Sequence, residues 1–186
     1  MIMWKIGKEL CPGYLLMMAY EENATLTDKT YENICFRLIV LKKGTLIMTI
    51  NDKNVVVTAP SILCLNDEDK ISVNSTSSYE VNIIYFHPSV INSTFDLDNI
   101  FKEKFEGECP VSIYQDRTWL LPFIKRNESF FGCINIGISA LPFVSRLLEK
   151  IKRELGGELS EYWPCKCRSY LIEILILLEQ KYDEDC

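Results

Sequence analysis

Histidine is nearly absent from this sequence, and its absence excludes much of enzyme chemistry. His87 is the only histidine among 186 residues, so neither a His-His-Glu metal set nor a Ser-His-Asp arrangement with a choice of base can be assembled. His87 ends a strand-like pattern and precedes a proline, which is typical of a half-exposed strand terminus. The glycine-rich patterns that bind nucleotide phosphates are missing as well. We therefore predict that the chain is not an enzyme and has no catalytic residue, metal or cofactor.

Long apolar runs and clusters of basic residues are also missing. The segment 1–16 is apolar in part, but Lys5, Lys8 and Glu9 interrupt it and no small-residue cleavage site follows. We expect neither a signal peptide nor a membrane span there. The formal net charge is -6, and the lysines and arginines are scattered along the chain. Because no basic patch is evident, we do not expect this chain alone to bind nucleic acid.

The cysteines give no pattern of disulfides or structural zinc. Eight are present at irregular spacings in a chain long enough to fold without crosslinks. Because no export signal is evident, we expect reduced thiols in a cytoplasm. Only Cys165 and Cys167 lie close together, and a single C-x-C lacks the second ligand pair that a structural zinc site needs.

The region 33–88 has the pattern of short antiparallel strands joined by tight turns. Apolar runs or alternation at 34–41, 45–50, 54–58, 62–65, 71–73 and 79–87 predict six strands. Gly44 and the Asn51-Asp52-Lys53 segment supply turn chemistry between them. Strands at this spacing indicate a sandwich or a barrel. Beyond residue 88 the pattern is weaker, and we expect one short helix within 89–101, a strand at 111–114 and an apolar piece at 119–124.

The last third of the chain changes to helical spacing. A helix is predicted from an N-cap at Ser139 to the glycines at 156 and 157, with Ile138 and Phe143 forming a hydrophobic staple. A second helix is predicted at 164–182, and its apolar stripe is wide enough to be buried on two sides. One side can pack on the strands and the other on a partner subunit. The candidate dimer contacts are Leu171, Ile174, Leu175 and Leu178.

A ligand pocket between the strands is the main functional candidate, since a small barrel can enclose one ligand. Residues that share a strand face define it: Arg37, Lys43, Val81, Ile83 and Tyr85. Arg37 lies among apolar neighbours. If it points inward it needs an anionic partner, from the protein or from a ligand. If it lies on an edge strand it can reach water along its own stem. Both readings remain open.

Three stretches of this region are similar to a known family. They are FRLIVLKKG at 36–44, APSILCL at 59–65 and VNIIYFHP at 81–88. Together with the two helices that follow, they resemble the cupin-type amino-terminal domain of AraC/XylS transcription regulators. The shared features are a glycine after an apolar strand, a proline-bearing bend and a Phe-x-Pro strand ending.

The resemblance implies a fold that is mainly β with C-terminal helices: a cupin-like (double-stranded β-helix) barrel followed by two long α-helices. It implies a barrel with an N-terminal arm at 1–128 and a helical dimerisation region packed on it at 129–186. The arm, around Trp4 and Tyr14, is expected to close over the ligand. The implied protein is a cytoplasmic homodimer that senses an unknown small-molecule effector. It would contact DNA only through a helix-turn-helix half that is not in this chain.

Two departures from the family pattern shape the expected ligand. Metal-binding cupins carry several histidines on the barrel strands, whereas this chain has Ile71, Ser72, Val81 and Ile83 along the comparable strands. Sugar-sensing members place polar and aromatic side chains on the inner face near this strand ending, where Val81 and Ile83 stand here. We therefore expect a pocket for an apolar or amphipathic ligand, or one filled by its own side chains. The alternatives are a stand-alone cupin enzyme, such as an isomerase or dioxygenase, and a ligand-free interaction module with a solid core.

Overall fold

A computed structural model describes residues 8–11, 14–26, 34–75, 78–102, 110–127, 129–157 and 161–185. The strands are β1 Lys8–Cys11, β2 Tyr14–Leu16, β3 Met18–Glu21, β4 Phe36–Lys43, β5 Thr45–Ile50, β6 Lys53–Thr58, β7 Ser61–Leu65, β8 Ile71–Ser75, β9 Glu80–Phe86 and β10 Cys133–Asn135. The helices are α1 Val111–Thr118, α2 Leu121–Ile124, α3 Gly137–Gly156 and α4 Trp163–Asp185, and a short 3-10 turn covers Pro88–Val90.

The strands form two larger antiparallel sheets and one small hairpin. The order in the larger sheet is β10-β7-β4-β9-β3, and in the second sheet it is β6-β5-β8. Strands β1 and β2 pair only with each other. Within the described residues no strand pairing joins the two larger sheets, so the closed barrel that we expected is not found. The mainly-β fold with C-terminal helices is present, and the cupin topology stays a prediction.

Alternation along β4 creates two separate hydrophobic cores. Ile39 and Leu41 face the three-stranded sheet, while Phe36, Leu38 and Val40 face the helices. All five side chains are fully buried. Burial on both faces explains why this strand reads as an almost continuous apolar run. The molecule therefore has three layers, with the five-stranded sheet between the smaller sheet and the helices.

Turn residues confirm the predicted hairpin between β5 and β6 and the predicted turn at Gly44. Asn51 and Asp52 adopt positive φ angles of 48° and 66° between β5 and β6, a conformation that Asn and Asp tolerate better than most residues. Gly44, at φ +88°, lies so close to the Ser78 carbonyl that a Cβ atom would collide with it. The Asn51-Asp52 turn sets the register of β5 and β6.

Three local predictions are wrong. Residues 111–114 begin helix α1 rather than a strand; only Ile113 of that helix is buried, so the short apolar run does not pack as a strand. Helix α3 begins at Gly137 with Ile136 as its N-cap residue, and not after Ser139. Ile138 is 81% exposed, so it forms no staple. The predicted end of α3 is confirmed by Gly157, which lies at φ +90°.

Candidate functional site

The predicted pocket face exists, but it is packed as core. Val81, Ile83 and Tyr85 lie opposite Leu41, Ile39 and Arg37, respectively, in the β4–β9 pairing. Their side chains are at most 3% exposed. They share one hydrophobic cluster with residues of the smaller sheet, including Leu46, Met48 and Ile50. The Tyr85 hydroxyl donates a hydrogen bond to Glu21 on β3, at 3.1 Å.

Arg37 points into the layer between the sheets. It is 1% exposed, so the reading in which it reaches water from an edge strand is wrong. Its guanidinium donates to the carbonyl oxygen of Asn66, at 3.3 Å, and to that of Asp69. Both acceptors belong to the turn between β7 and β8. Arg37 therefore fixes this turn against the start of β4.

A network of polar side chains continues from that turn. The Asp69 carboxylate accepts hydrogen bonds from Arg126 at 2.5 Å, from the Asn66 backbone at 2.9 Å and from the Asn51 side chain at 2.5 Å. Asn66 also donates to the Phe123 carbonyl oxygen of α2, at 2.9 Å. The network thus ties the β5–β6 hairpin, the β7–β8 turn and the segment after α2 to one another. We refer to Arg37, Asn51, Asn66, Asp69 and Arg126 as the polar network.

Asp67 lies in the same turn, and its carboxyl group has a raised pKa. Burial raises the pKa of its carboxyl group from 3.8 to about 6, and the nearby Glu68 and Asp69 charges add to the shift. Its Oδ1 atom is buried and has no hydrogen-bond partner within the described residues. The turn therefore favours the protonated form of Asp67.

The other predicted pocket residues do not join this site. Lys43 has a side chain that is 79% exposed and pairs with Glu80 at 2.9 Å, while Lys42 pairs with the same carboxylate at 2.6 Å. These two lysines lower the pKa of Glu80. Trp4 lies outside the described residues. Tyr14 is the first residue of strand β2, and its side chain is not among the described ones.

The predicted dimer contacts are buried within the protomer itself. Leu171, Ile174, Leu175 and Leu178 are each 0% exposed and belong to the core between the helices and the five-stranded sheet. The prediction of these four as an intersubunit surface is wrong, because the protomer's own elements, α3 foremost, cover the stripe. The homodimer stays a prediction.

A surface groove that sequence reasoning missed lies between the N-terminal hairpin and the start of α4. It has a volume of about 560 Å³ and is called the hairpin groove below. Its lining residues are Leu15, Leu16, Met17, Ser89, Val90, Ser93, Glu161, Tyr162, Pro164, Cys165 and Arg168. The lining residues come from three distant parts of the chain, so no local sequence pattern predicts the groove.

Polar contacts hold one wall of the hairpin groove in place. The Ser89 hydroxyl lies 2.7 Å from Nδ1 of His87 and 3.7 Å from the sulfur of Met17. Arg168 on α4 donates to the Ile91 carbonyl oxygen at 2.6 Å. Burial lowers the pKa of His87, and its Nδ1 atom accepts a hydrogen bond from the Ser89 backbone at 3.1 Å.

A second cleft lies beside the polar network. It has a volume of about 370 Å³ and is lined by Ile50, Asn51, Lys53, Arg126, Asn127 and Phe131. We call it the basic cleft, because its two charged lining residues are a lysine and an arginine. The Lys53 ammonium lies 4.5 Å from the centre of the Phe131 ring, which is a cation–π distance.

The described residues offer neither a metal cluster nor a membrane-spanning helix. Within the described ranges, no three His, Cys, Asp or Glu side chains come together in a way that could hold a metal ion. None of the described helices combines the length and the apolar character that a bilayer crossing requires.

Comparisons with known proteins give a weak structural likeness. No protein-family model matches the sequence, and no curated protein matches it significantly. Among solved structures, the fold is similar to apo ToxT K231A from Vibrio cholerae strain SCE256, at 11% sequence identity and a TM-score of 0.48. The match covers 90% of this chain and 57% of the ToxT chain, so this chain spans little more than half of that protein. A likeness of this size transfers no function to the chain.

Proposed function

We propose that this chain is the effector-sensing domain of a cytoplasmic transcription regulator of the AraC type, and that a small apolar or amphipathic molecule binds in the hairpin groove. The observation that carries the proposal is the groove itself. One wall is the N-terminal hairpin and the other is the start of α4. Its volume of about 560 Å³ lies within the range of roughly 300–1,000 Å³ that is usual for small-molecule sites.

The lining suits a ligand that is mainly apolar. Leu15, Leu16, Met17, Val90 and Pro164 supply aliphatic surface along the groove. Ser89, Ser93 and Arg168 add polar groups that also line a second small depression, and Glu161 adds a carboxylate. A mostly apolar site with a few fixed polar groups is the usual composition of a ligand pocket.

The position of the groove gives a ligand a way to act on the rest of the molecule. The hairpin is attached through the Met17 carbonyl oxygen, which accepts from the His87 backbone at 2.9 Å. It is also attached through Lys8, which donates to the Glu154 carbonyl oxygen at 3.4 Å and lies 4.7 Å from the Trp163 ring centre. A ligand that touches both walls binds best when the hairpin rests on α4, and so shifts the population toward that arrangement.

The regulator part of the proposal draws on the sequence resemblance and on the order of strands followed by two long helices. Homodimerisation belongs to it, and DNA contact would require a domain outside this sequence. Because the inner stripe of α4 is buried, the dimer contact would use its outer side, where Ile172 and Ile176 are partly exposed.

A ligand screen with a groove-filling variant tests the proposal. Thermal unfolding of the wild type would be followed with small-molecule classes that range from apolar to amphipathic. The variant Cys165→Phe places a ring in the groove, and Ser169→Phe places the same ring one turn further along α4, at an exposed position outside the lining. We expect a ligand that raises Tm for the wild type and Ser169→Phe but not for Cys165→Phe. Equal stabilisation of both variants would place the ligand elsewhere.

One observation favours a second candidate, a ligand-free interaction module. The layer between the two sheets is filled by side chains that are almost entirely buried, among them Ile39, Met48 and Ile83. If the chain is such an interaction module, no small molecule would raise its Tm, whereas a protein partner would.

A further inference from the structure

The basic cleft presents positive charge beside an apolar surface. Lys53 stands at the start of β6, and Arg126 follows α2. Phe131 contributes an aromatic ring to the lining, whereas Ile50 is 1% exposed and adds little surface. The cleft therefore combines the Lys53 cation with an aromatic wall, and its second basic residue, Arg126, is paired with Asp69.

The hydrogen-bond acceptors around this cleft are already occupied from within. The Asn51 side-chain oxygen accepts from the Lys70 backbone at 2.9 Å. The Asn127 side-chain oxygen accepts from the backbones of Ser129 and Phe130, at 2.9 and 2.7 Å. Both oxygens of Asp69, behind the cleft, accept bonds from the polar network. A ligand that needs to donate hydrogen bonds gains little here.

One positive charge, in contrast, is left over. No described carboxylate lies within ion-pair distance of Lys53, whose ammonium contacts the Phe131 ring. Both terminal nitrogens of Arg126 already donate to carbonyl oxygens and to Asp69. The Asp69 charge is offset by Arg126 at 2.5 Å, so it does not cancel the charge of Lys53. A site with occupied acceptors and one uncompensated cation selects an anion.

We propose that the basic cleft binds a flat apolar anion, with the anionic group at Lys53 and the ring system against Phe131. A volume of about 370 Å³ accommodates one or two fused rings with a carboxylate. This site is separate from the hairpin groove, since the two share no lining residue. The proposal therefore does not depend on the proposed effector.

Calorimetric titration with two matched probes tests the proposal. The probes are naphthalene-2-carboxylate and its neutral amide, naphthalene-2-carboxamide, which differ in charge but hardly in shape. We expect the wild type to bind the carboxylate at least about tenfold more tightly than the amide, as one charge-assisted hydrogen bond provides. Equal affinity for the two probes, or no binding of the carboxylate, overturns the proposal.

Two lysine variants locate the binding. Lys53→Met removes the ammonium and keeps the aliphatic stem at an exposed position, so folding should be preserved. Lys102→Met makes the same change at an exposed lysine outside the cleft. We expect Lys53→Met to weaken carboxylate binding about tenfold and to abolish the preference for the carboxylate over the amide. Lys102→Met and the groove variant Cys165→Phe should bind the carboxylate as tightly as the wild type does. If Lys53→Met retains full carboxylate affinity, the basic cleft is not the site.

Discussion

The polar network predicts a large loss of stability when Arg126 is replaced by methionine. The Asp69 side chain is 2% exposed and that of Arg126 is 22% exposed, with 2.5 Å between Asp69 Oδ2 and Arg126 Nη2. Without Arg126, a buried carboxylate loses its ion pair, and the Cys64 carbonyl oxygen loses a donor at 2.7 Å. Removing one partner of a buried pair costs about 3–5 kcal/mol. Since Arg126 is partly exposed, we expect the lower end, about 3 kcal/mol.

Urea unfolding followed by tryptophan fluorescence measures this loss. With an m-value of about 2 kcal/mol/M, a loss of about 3 kcal/mol lowers the midpoint by about 1.5 M. Arg153→Met is the matched control, because Arg153 is exposed on α3, and should change stability by less than about 0.5 kcal/mol.

A double-mutant cycle separates the ion pair from a general effect of truncation. The double variant Arg126→Met/Asp69→Asn removes both charges together, so its loss should be about 2 kcal/mol smaller than the sum of the single losses. An Arg126→Met variant within about 0.5 kcal/mol of the wild type, or strictly additive losses, would refute the role given to this network.

Three further predictions concern other parts of the fold. Burial raises the pKa of Asp67 from 3.8 to about 6, so the ionised carboxylate destabilises the fold increasingly as pH rises through that interval. The variant Asp67→Asn should therefore be about 1 kcal/mol more stable than the wild type above pH 6, after discounting for partial exposure, and equally stable below pH 4. Urea midpoints measured across pH check this. Leu175→Ala should cost about 2–5 kcal/mol, equally at all protein concentrations, because Leu175 is buried within the protomer; a loss that shrinks at high concentration would instead place it in an intersubunit contact. Gly157→Ala should destabilise by about 1 kcal/mol, because Gly157 has a φ of +90°, whereas Gly156→Ala, in the last turn of α3, should be neutral or stabilising; calorimetric Tm values compare the two.

The strands and turns of the first half follow from local chemistry, and the sequence predicts them well. Gly44, Asn51 and Asp52 have the residue types that their positive φ angles need, and the alternation along 81–86 marks which side chains share a face. Errors arise where local signals are weak. The run at 111–114 is only four residues long, and such a run does not distinguish a strand from the first turn of a helix.

The candidate sites depend on tertiary contacts that no local pattern contains. Arg37 is held by carbonyl groups of a turn that begins 29 residues later, so its inward direction follows from the folded arrangement alone. The wide stripe of α4 predicts burial on two sides, but not that α3 provides the second side. The hairpin groove joins residues such as Met17, Val90 and Arg168, which are far apart in sequence and carry no shared motif.

Hydrogen exchange with and without a ligand found by the thermal screen tests the central claim most directly. If the effector binds in the hairpin groove, backbone amides at 14–17 and at 161–168 should both become more protected, because the ligand touches both walls. The strands around Ile39 and Ile83, already buried between the sheets, should change little. Protection confined to those inner strands, with none at the hairpin or at the start of α4, would contradict the account.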